Sequence, residues 1–160
     1  MIVLVVAVGS VRGLHEAAAR EYVVRAARYW KLELLEVEAG AHQGSASASP
    51  EQVRDAEGKR ILARVPNDLE LVALTRRGTS WTSREFASYL GQFALRSRRG
   101  VAIAVGGAFG LSQDVLTRAS QRLALSALTL PHEMARIVVL EQLYRAGTIL
   151  RGEPYHKESQ

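Results

Sequence analysis

The chain has 160 residues, a formal net charge of +5 at neutral pH and no cysteine. That length suits one domain whose core needs no cross-links. The missing cysteines exclude disulfides, thiolate metal ligands and a cysteine nucleophile, and suit a reducing, cytoplasmic setting.

Charge is unevenly spread. Residues 1–60 hold 8 Lys or Arg against 8 Asp or Glu, and residues 61–160 hold 13 against 8. The positive field therefore belongs to the C-terminal part and favours a polyanion such as RNA.

The opening MIVLVVAVG is too short to span a bilayer and lacks the basic flank of a signal peptide. Neither a membrane nor a metal is implied. Ile2–Val8 is a continuous β-branched run, the pattern of a strand covered on both faces in a parallel sheet. A helix follows over Leu14–Trp30, with Ala19, Tyr22, Val23, Ala26 and Trp30 at helical spacing and Glu21 and Arg25 paired at i,i+4. Leu32–Val37 mixes apolar residues with glutamates, which predicts a strand nearer an edge. Residues 39–49 are small and of low complexity and predict a mobile loop, with His42 solvated. Ser49, Pro50 and Gln52 then form a capping box that opens a helix to about Arg64.

Leu69–Leu74 reads as the third strand, followed by a loop containing Arg76, Arg77 and Gly78. Thr82 and Glu85 form a second capping box, with Trp81 and Phe86 as its hydrophobic staple. This helix ends in the cations Arg96, Arg98 and Arg99. Val101–Val105 is the fourth strand, Leu123–Leu130 the fifth, and Met134–Leu150 a helix so apolar that part of it predicts a contact between two copies of the chain. Alternating strands and helices give an α/β fold with a parallel sheet. A ligand in such a sheet sits beyond the carboxyl ends of the strands, here Gly9, Leu74–Gly78, Gly106–Gly110 and Leu128–His132.

The turn VGGAFGLS after strand four is no dinucleotide fingerprint. With Gly107 and Gly110 as the last two glycines, Val105 takes the place of the first, and Leu130 stands where a ribose-binding acid is needed. The lysine of a phosphate loop is absent too. Gly106 and Gly107 can still admit a ligand against the backbone, and Ser112 caps the next helix with Asp114 in its first turn. The uncharged stretch LALSALTLP, stopped by Pro131, suits main-chain recognition of a neutral aromatic base. It reads equally as a plain buried strand.

The runs VGGAFGLS, LALSALTLPHEMARIVVLEQLYRA and RGEPYHK resemble the RlmH family of SPOUT methyltransferases, as do Ala7–Gly9 and the Glu21-Tyr22 pair. The resemblance covers nearly the whole chain. It implies a C-terminal trefoil knot over about residues 101–157 that holds S-adenosyl-L-methionine, and a homodimer that completes the site. The implied reaction is methylation of N3 of a pseudouridine in 23S ribosomal RNA, with the assembled ribosome as substrate.

Carried onto this sequence, the cofactor would meet Leu74, Thr75, Gly106, Gly107, Leu125, Ser126, Ala127, Leu128, Thr129 and Leu130. Tyr155 and His156 would be catalytic, His156 as base or RNA-orienting donor. Arg76, Arg77, Arg151 and Lys157 would contact RNA. His132 reads as a helix-start residue. The chain departs from the family pattern at Thr75 and Phe109, where an acid is usual. Two alternatives stay open, a cofactor-free dimeric RNA-binding module of the same fold and a relative acting on tRNA.

Overall fold

The computed structural model describes residues 1–41, 47–95 and 99–156. Five parallel strands form one sheet: β1 (Ile2–Val8), β2 (Lys31–Val37), β3 (Glu70–Ser80), β4 (Gly100–Val105) and β5 (Gln121–Ala124). They lie in the order β2-β1-β4-β3-β5. The helices are α1 (Leu14–Ala26), α2 (Pro50–Arg64), α3 (Ser83–Leu95), α4 (Gln113–Arg118) and α5 (His132–Leu150), followed by a short 3₁₀ turn at Pro154–His156.

The alternating pleat of β1 divides its side chains between two cores. Val3, Val5 and Ala7 join Ala26, Leu90, Leu140 and Leu143 on the face covered by α1, α3 and α5. Leu4, Val6 and Val8 join Ile61, Val65 and Val115 on the face covered by α2 and α4. This is why β1 reads as unbroken apolar sequence, and why β2, paired only with β1, carries glutamates at the edge. Much of the apolar surface of α5 is covered within the chain, since it lies between α1 and α3.

Local signals hold where they rest on caps. Ser49 Oγ accepts the Gln52 amide at 3.2 Å, and Gln52 Oε1 accepts the Ser49 amide at 2.8 Å. Thr82 and Glu85 exchange the same pair of bonds, with Trp81 and Phe86 rings 6.4 Å apart. Glu21–Arg25 and Glu141–Arg145 are both paired. Residues 42–46 of the expected mobile loop, His42 among them, and the cations Arg96 and Arg98 lie outside the described residues.

Two expectations are corrected. The stretch after Leu74 is no loop between elements, because β3 continues to Ser80 with a bulge between Leu74 and Thr79, both of which pair with Leu123. Gly78 permits this: a Cβ there would lie 2.6 Å from the main chain of Arg122 and Leu123. Nor does the fifth strand reach Leu130. It stops at Ala124, and residues 125–131 form an irregular segment. Leu123 and Ala124 are buried and Leu125 packs partly against the core, while Leu128 is 75% exposed.

Helix α5 is fixed at its start by Arg136, which is 1% exposed. Its guanidinium donates to Glu36 Oε1 at 2.5 Å and to the carbonyls of Val8 and Gly9 at 3.1 and 2.7 Å. Removing the cation strands two buried strand-end carbonyls. We therefore expect Arg136→Ala to cost about 3 kcal/mol or more by urea unfolding. Glu36 is partly solvated, so Glu36→Gln should cost less than about 1 kcal/mol.

Candidate functional site

The carboxyl ends of β3, β4 and β5 open into a cavity of about 540 Å³, within the range of about 300–1,000 Å³ typical of small-molecule sites. Its floor is the turn after β4, where the Gly110 amide donates to the Gly107 carbonyl at 3.1 Å. Gly110 has φ 82°, a left-handed conformation that glycine adopts freely. One wall is the β3 bulge, with Leu74, Thr75, Arg76 and Arg77. The other is the segment after β5, with Leu125, Ser126, Leu128, Thr129 and Leu130, continuing to His132 and Ala135 of α5.

Of the ten residues expected at the cofactor, nine line this cavity. The tenth, Ala127, is exposed and lies outside its lining. The reason for the glycines differs from the expected one. A Cβ at Gly106 would lie 2.8 Å from the Gly110 carbonyl carbon, and one at Gly107 would lie 2.9 Å from Glu57 Oε2 and 3.0 Å from Val8 Cγ1. The protein's own packing requires both glycines before any ligand arrives. Phe109, at the tip of the turn, is 48% exposed and stands at the rim without filling the cavity.

The segment 126–130 has the character of a main-chain binding surface. Among the described residues, its one recorded hydrogen bond to a main-chain amide runs from Leu128 to Ser126 Oγ at 2.9 Å. Thr129 is held through its hydroxyl, which accepts from Arg76 Nη1 at 3.0 Å. The amides of Ala127, Thr129 and Leu130 have no main-chain partner among the described residues. Such groups take water or a ligand, which fits a nucleoside base edge. Among the described residues no cluster of three or more His, Cys, Asp or Glu could hold a metal ion, and no helix is long and apolar enough to cross a membrane.

The candidates near the C-terminus lie elsewhere. Helix α5 runs for 19 residues, roughly 28 Å, with His132 at the cavity and Arg151 just beyond its far end. Arg151 stacks on Tyr29 at 4.7 Å. Tyr155 packs on Tyr144 with ring centroids 4.5 Å apart, beneath the Arg145 guanidinium, and donates to Glu141 Oε1 at 3.2 Å. The side chain of His156 and the whole of Lys157 lie outside the described residues. One chain thus gathers the expected cofactor contacts together with Arg76 and Arg77, and keeps Arg151, Tyr155 and the His156 backbone apart from them.

Sequence reasoning missed two residues of α2. Arg54 lines the cavity, and Glu57 is buried behind Gly107. The available signal was a stripe of Arg54, Glu57, Gly58 and Ile61 at i, i+3, i+4, i+7, in which charged residues occupy a face that otherwise points at the sheet.

Comparison with known proteins fits this geometry. The family model described as "Predicted SPOUT methyltransferase" matches residues 1–156. The chain belongs to the RlmH family of SPOUT methyltransferases. Its relatives include the "Ribosomal RNA large subunit methyltransferase H" of Anaeromyxobacter sp. (strain Fw109-5), 50% identical over 96% of this chain and 97% of the relative. The protein of the same name from Clostridium kluyveri is 36% identical over 98% of this chain and all of the relative. Among solved structures, a "probable methylase family protein" from Haemophilus influenzae superposes with TM-score 0.56 at 18% identity, covering 99% of this chain and 71% of that one. That likeness concerns the fold alone.

In this family member the tail tyrosine is held protonated. Partial burial first, and the Glu141 carboxylate second, push the Tyr155 hydroxyl up to about 12. The hydrogen bond to Glu153 does the same to Tyr29, also to about 12. At neutral pH Tyr155 is therefore a hydroxyl donor and no phenolate base. With native values above the ordinary 10, both groups stabilise the fold below pH 10, and the gain is lost as pH rises towards 12. Ultraviolet titration should show two of the five tyrosines ionising late, and Tyr155→Phe should remove one of them.

Proposed function

We propose that this protein transfers the methyl group of S-adenosyl-L-methionine to N3 of a pseudouridine in 23S ribosomal RNA of the assembled ribosome, acting as a homodimer in the cytoplasm. The observation that carries the reading is the cavity at the ends of β3, β4 and β5, walled by the segment 126–130, where the amides of Ala127, Thr129 and Leu130 have no main-chain partner among the described residues. Membership of a family whose relatives bear the name ribosomal RNA large subunit methyltransferase supplies the reaction class. Phe109 stands at the rim, which favours a donor-binding enzyme over the cofactor-free alternative. In the proposal, residues 101–157 thread the trefoil knot.

The donor supplies an electrophilic methyl group on a cationic sulfur. The chain's part is alignment and proton removal. Leu74, Thr75, Gly106, Gly107 and the segment Leu125–Leu130 hold the nucleoside. As the N3–C bond forms and the S–C bond breaks, the imide proton leaves N3, and His156 is the proposed acceptor, with Tyr155 donating to the nucleotide. Arg76, Arg77, Arg151 and Lys157 take phosphates, where each released counterion adds affinity that falls with salt.

Two chains are needed because Tyr155 and the His156 backbone are docked against the far half of α5. The cavity they serve is the partner's.

Incubating the protein with labelled donor and unmodified ribosomes should place the label on one pseudouridine of 23S RNA. Label on tRNA instead would reverse the choice of substrate. Leu128→Glu, on an exposed residue of the cavity wall, should weaken donor binding by at least about tenfold at unchanged stability. Deleting residues 155–160 should abolish methylation and leave donor binding intact. At a donor concentration too low to load the Leu128→Glu cavity, mixing and exchanging these two variants should restore about a quarter of wild-type activity, since about half the dimers pair one intact cavity with one intact tail. No restoration would mean that tail and cavity act within one chain.

A further inference from the structure

Glu57 of α2 is 3% exposed and has no evident structural need for its charge. Its Oε1 accepts the Gly40 amide at 2.8 Å, while its Oε2 is buried with no hydrogen-bond partner. Among the described residues no cation lies within ion-pairing distance of it. Arg60, nearly one turn further on, gives its guanidinium to the carbonyls of Glu38, Gly40 and Ala41. A buried carboxylate oxygen left unpaired is costly. An amide or an apolar side chain would close this part of the core more cheaply.

What the carboxylate faces is the cavity floor. A Cβ on Gly107 would lie 2.9 Å from Oε2 and 3.1 Å from Oε1, and Gly107 itself lines the cavity. The charge therefore stands behind a wall one glycine thick. The approach depends on the next residue as well. A Cβ on Gly58 would lie 2.0 Å from Ser112 Oγ, so its absence lets α2 press against the N-cap of α4, where the glycine turn ends. Arg54, also on α2, brings the opposite charge to the open side of the same cavity.

We infer that Glu57 is a specificity-determining residue that favours the cationic methyl donor over its neutral spent product. This rests on the donor reading given above. In the transfer the S–C bond breaks, its electron pair stays on sulfur, and the nucleoside loses one positive charge. A fixed negative charge behind Gly107 attracts the sulfonium through a poorly screened interior and gains nothing from the thioether. Binding energy thus disappears as the reaction completes, which speeds exchange of product for fresh donor. Arg54 would act on the amino-acid carboxylate common to both molecules and so cannot tell them apart.

The test is calorimetric titration of the full-length protein with S-adenosylmethionine, S-adenosylhomocysteine and sinefungin, in which a protonated amine on carbon replaces the methylsulfonium. Glu57→Gln keeps an acceptor for Gly40 and removes the charge. It should weaken both cationic ligands about tenfold and leave S-adenosylhomocysteine within about twofold. Glu57→Asp should keep the wild-type ratio. An equal loss for all three ligands, or an unchanged ratio in Glu57→Gln, overturns the role given to Glu57 and leaves the donor reading standing. Failure of the wild type to bind any of the three removes the donor reading itself. Should Glu57→Gln not fold, the wild-type ratio decides: sinefungin binding more tightly than S-adenosylhomocysteine supports the inference, and equal or weaker binding rejects it.

Discussion

The buried Arg136 guanidinium is the constraint on which the site's geometry depends. Three acceptors converge on it, the carbonyls of Val8 and Gly9 at the end of β1 and the Glu36 carboxylate of β2. A lone buried cation would be prohibitive, but here two strand-end carbonyls and a carboxylate receive its protons. The consequence is positional. With Arg136 locked, the first turn of α5 is pinned against the strand ends, His132 comes over Gly9, and the segment that leads into α5 from β5 becomes a wall of the cavity. An apolar residue in its place could match the burial and could not fix the helix to those particular carbonyls.

The same economy shapes the rest of the cavity. Its inner surface is made where the glycine backbone comes close to its neighbours: Gly106 against the Gly110 main chain, Gly78 against the Arg122 main chain, and Gly107 against the side chains of Val8 and Glu57. Side chains with formal charge stay at its edges, Arg76 tied to Thr129 and Arg77 exposed on the β3 bulge. A surface built this way is stiff, because most of its contacts are to main-chain groups with no rotamer to change. It reads shape and amide pattern more than charge, which leaves charge discrimination to a group outside the surface.

Legibility in the sequence followed the range of the interactions involved. Capping boxes at Ser49–Gln52 and Thr82–Glu85 are local, and both are present as read. The two-sided burial of β1 and the edge character of β2 follow from composition alone. The bulge in β3 was not legible, since TRRGTS has loop composition and only the approach of Gly78 to Arg122 reveals why it returns to the sheet. The end of β5 was misplaced for a related reason. LALSALTLP alternates like a strand, but among the described residues strand pairing ends at Ala124, and beyond Leu125 the apolar side chain of Leu128 is left exposed. The cavity's residues were largely legible through the family resemblance, while Arg54 and Glu57 were not. Their helix announces itself as a support, and its charged stripe acquires meaning only once Gly107 is seen across from it.

Helix α5 also bears on how the two halves of the proposed site can meet. Its N-terminus forms the cavity wall and its C-terminus carries the docked turn Pro154–His156, held by Tyr144, Glu141 and Arg145. Tyr144 lies 12 positions from His132, roughly 18 Å along the helix. A turn fixed by an aromatic stack, a hydrogen bond and an arginine overhead does not swing that distance without giving up all three contacts. If cavity and tail serve one nucleotide, either the tail undocks or a second chain brings its own tail to the first chain's cavity. The second route keeps the aromatic stack and the arginine contact in place, gives up at most the Tyr155–Glu141 hydrogen bond to the nucleotide, and asks only that two copies of α5 pack with their ends exchanged. It also gives a reason for the exposed apolar side chains of Met134 and Leu150 at the two ends of that helix.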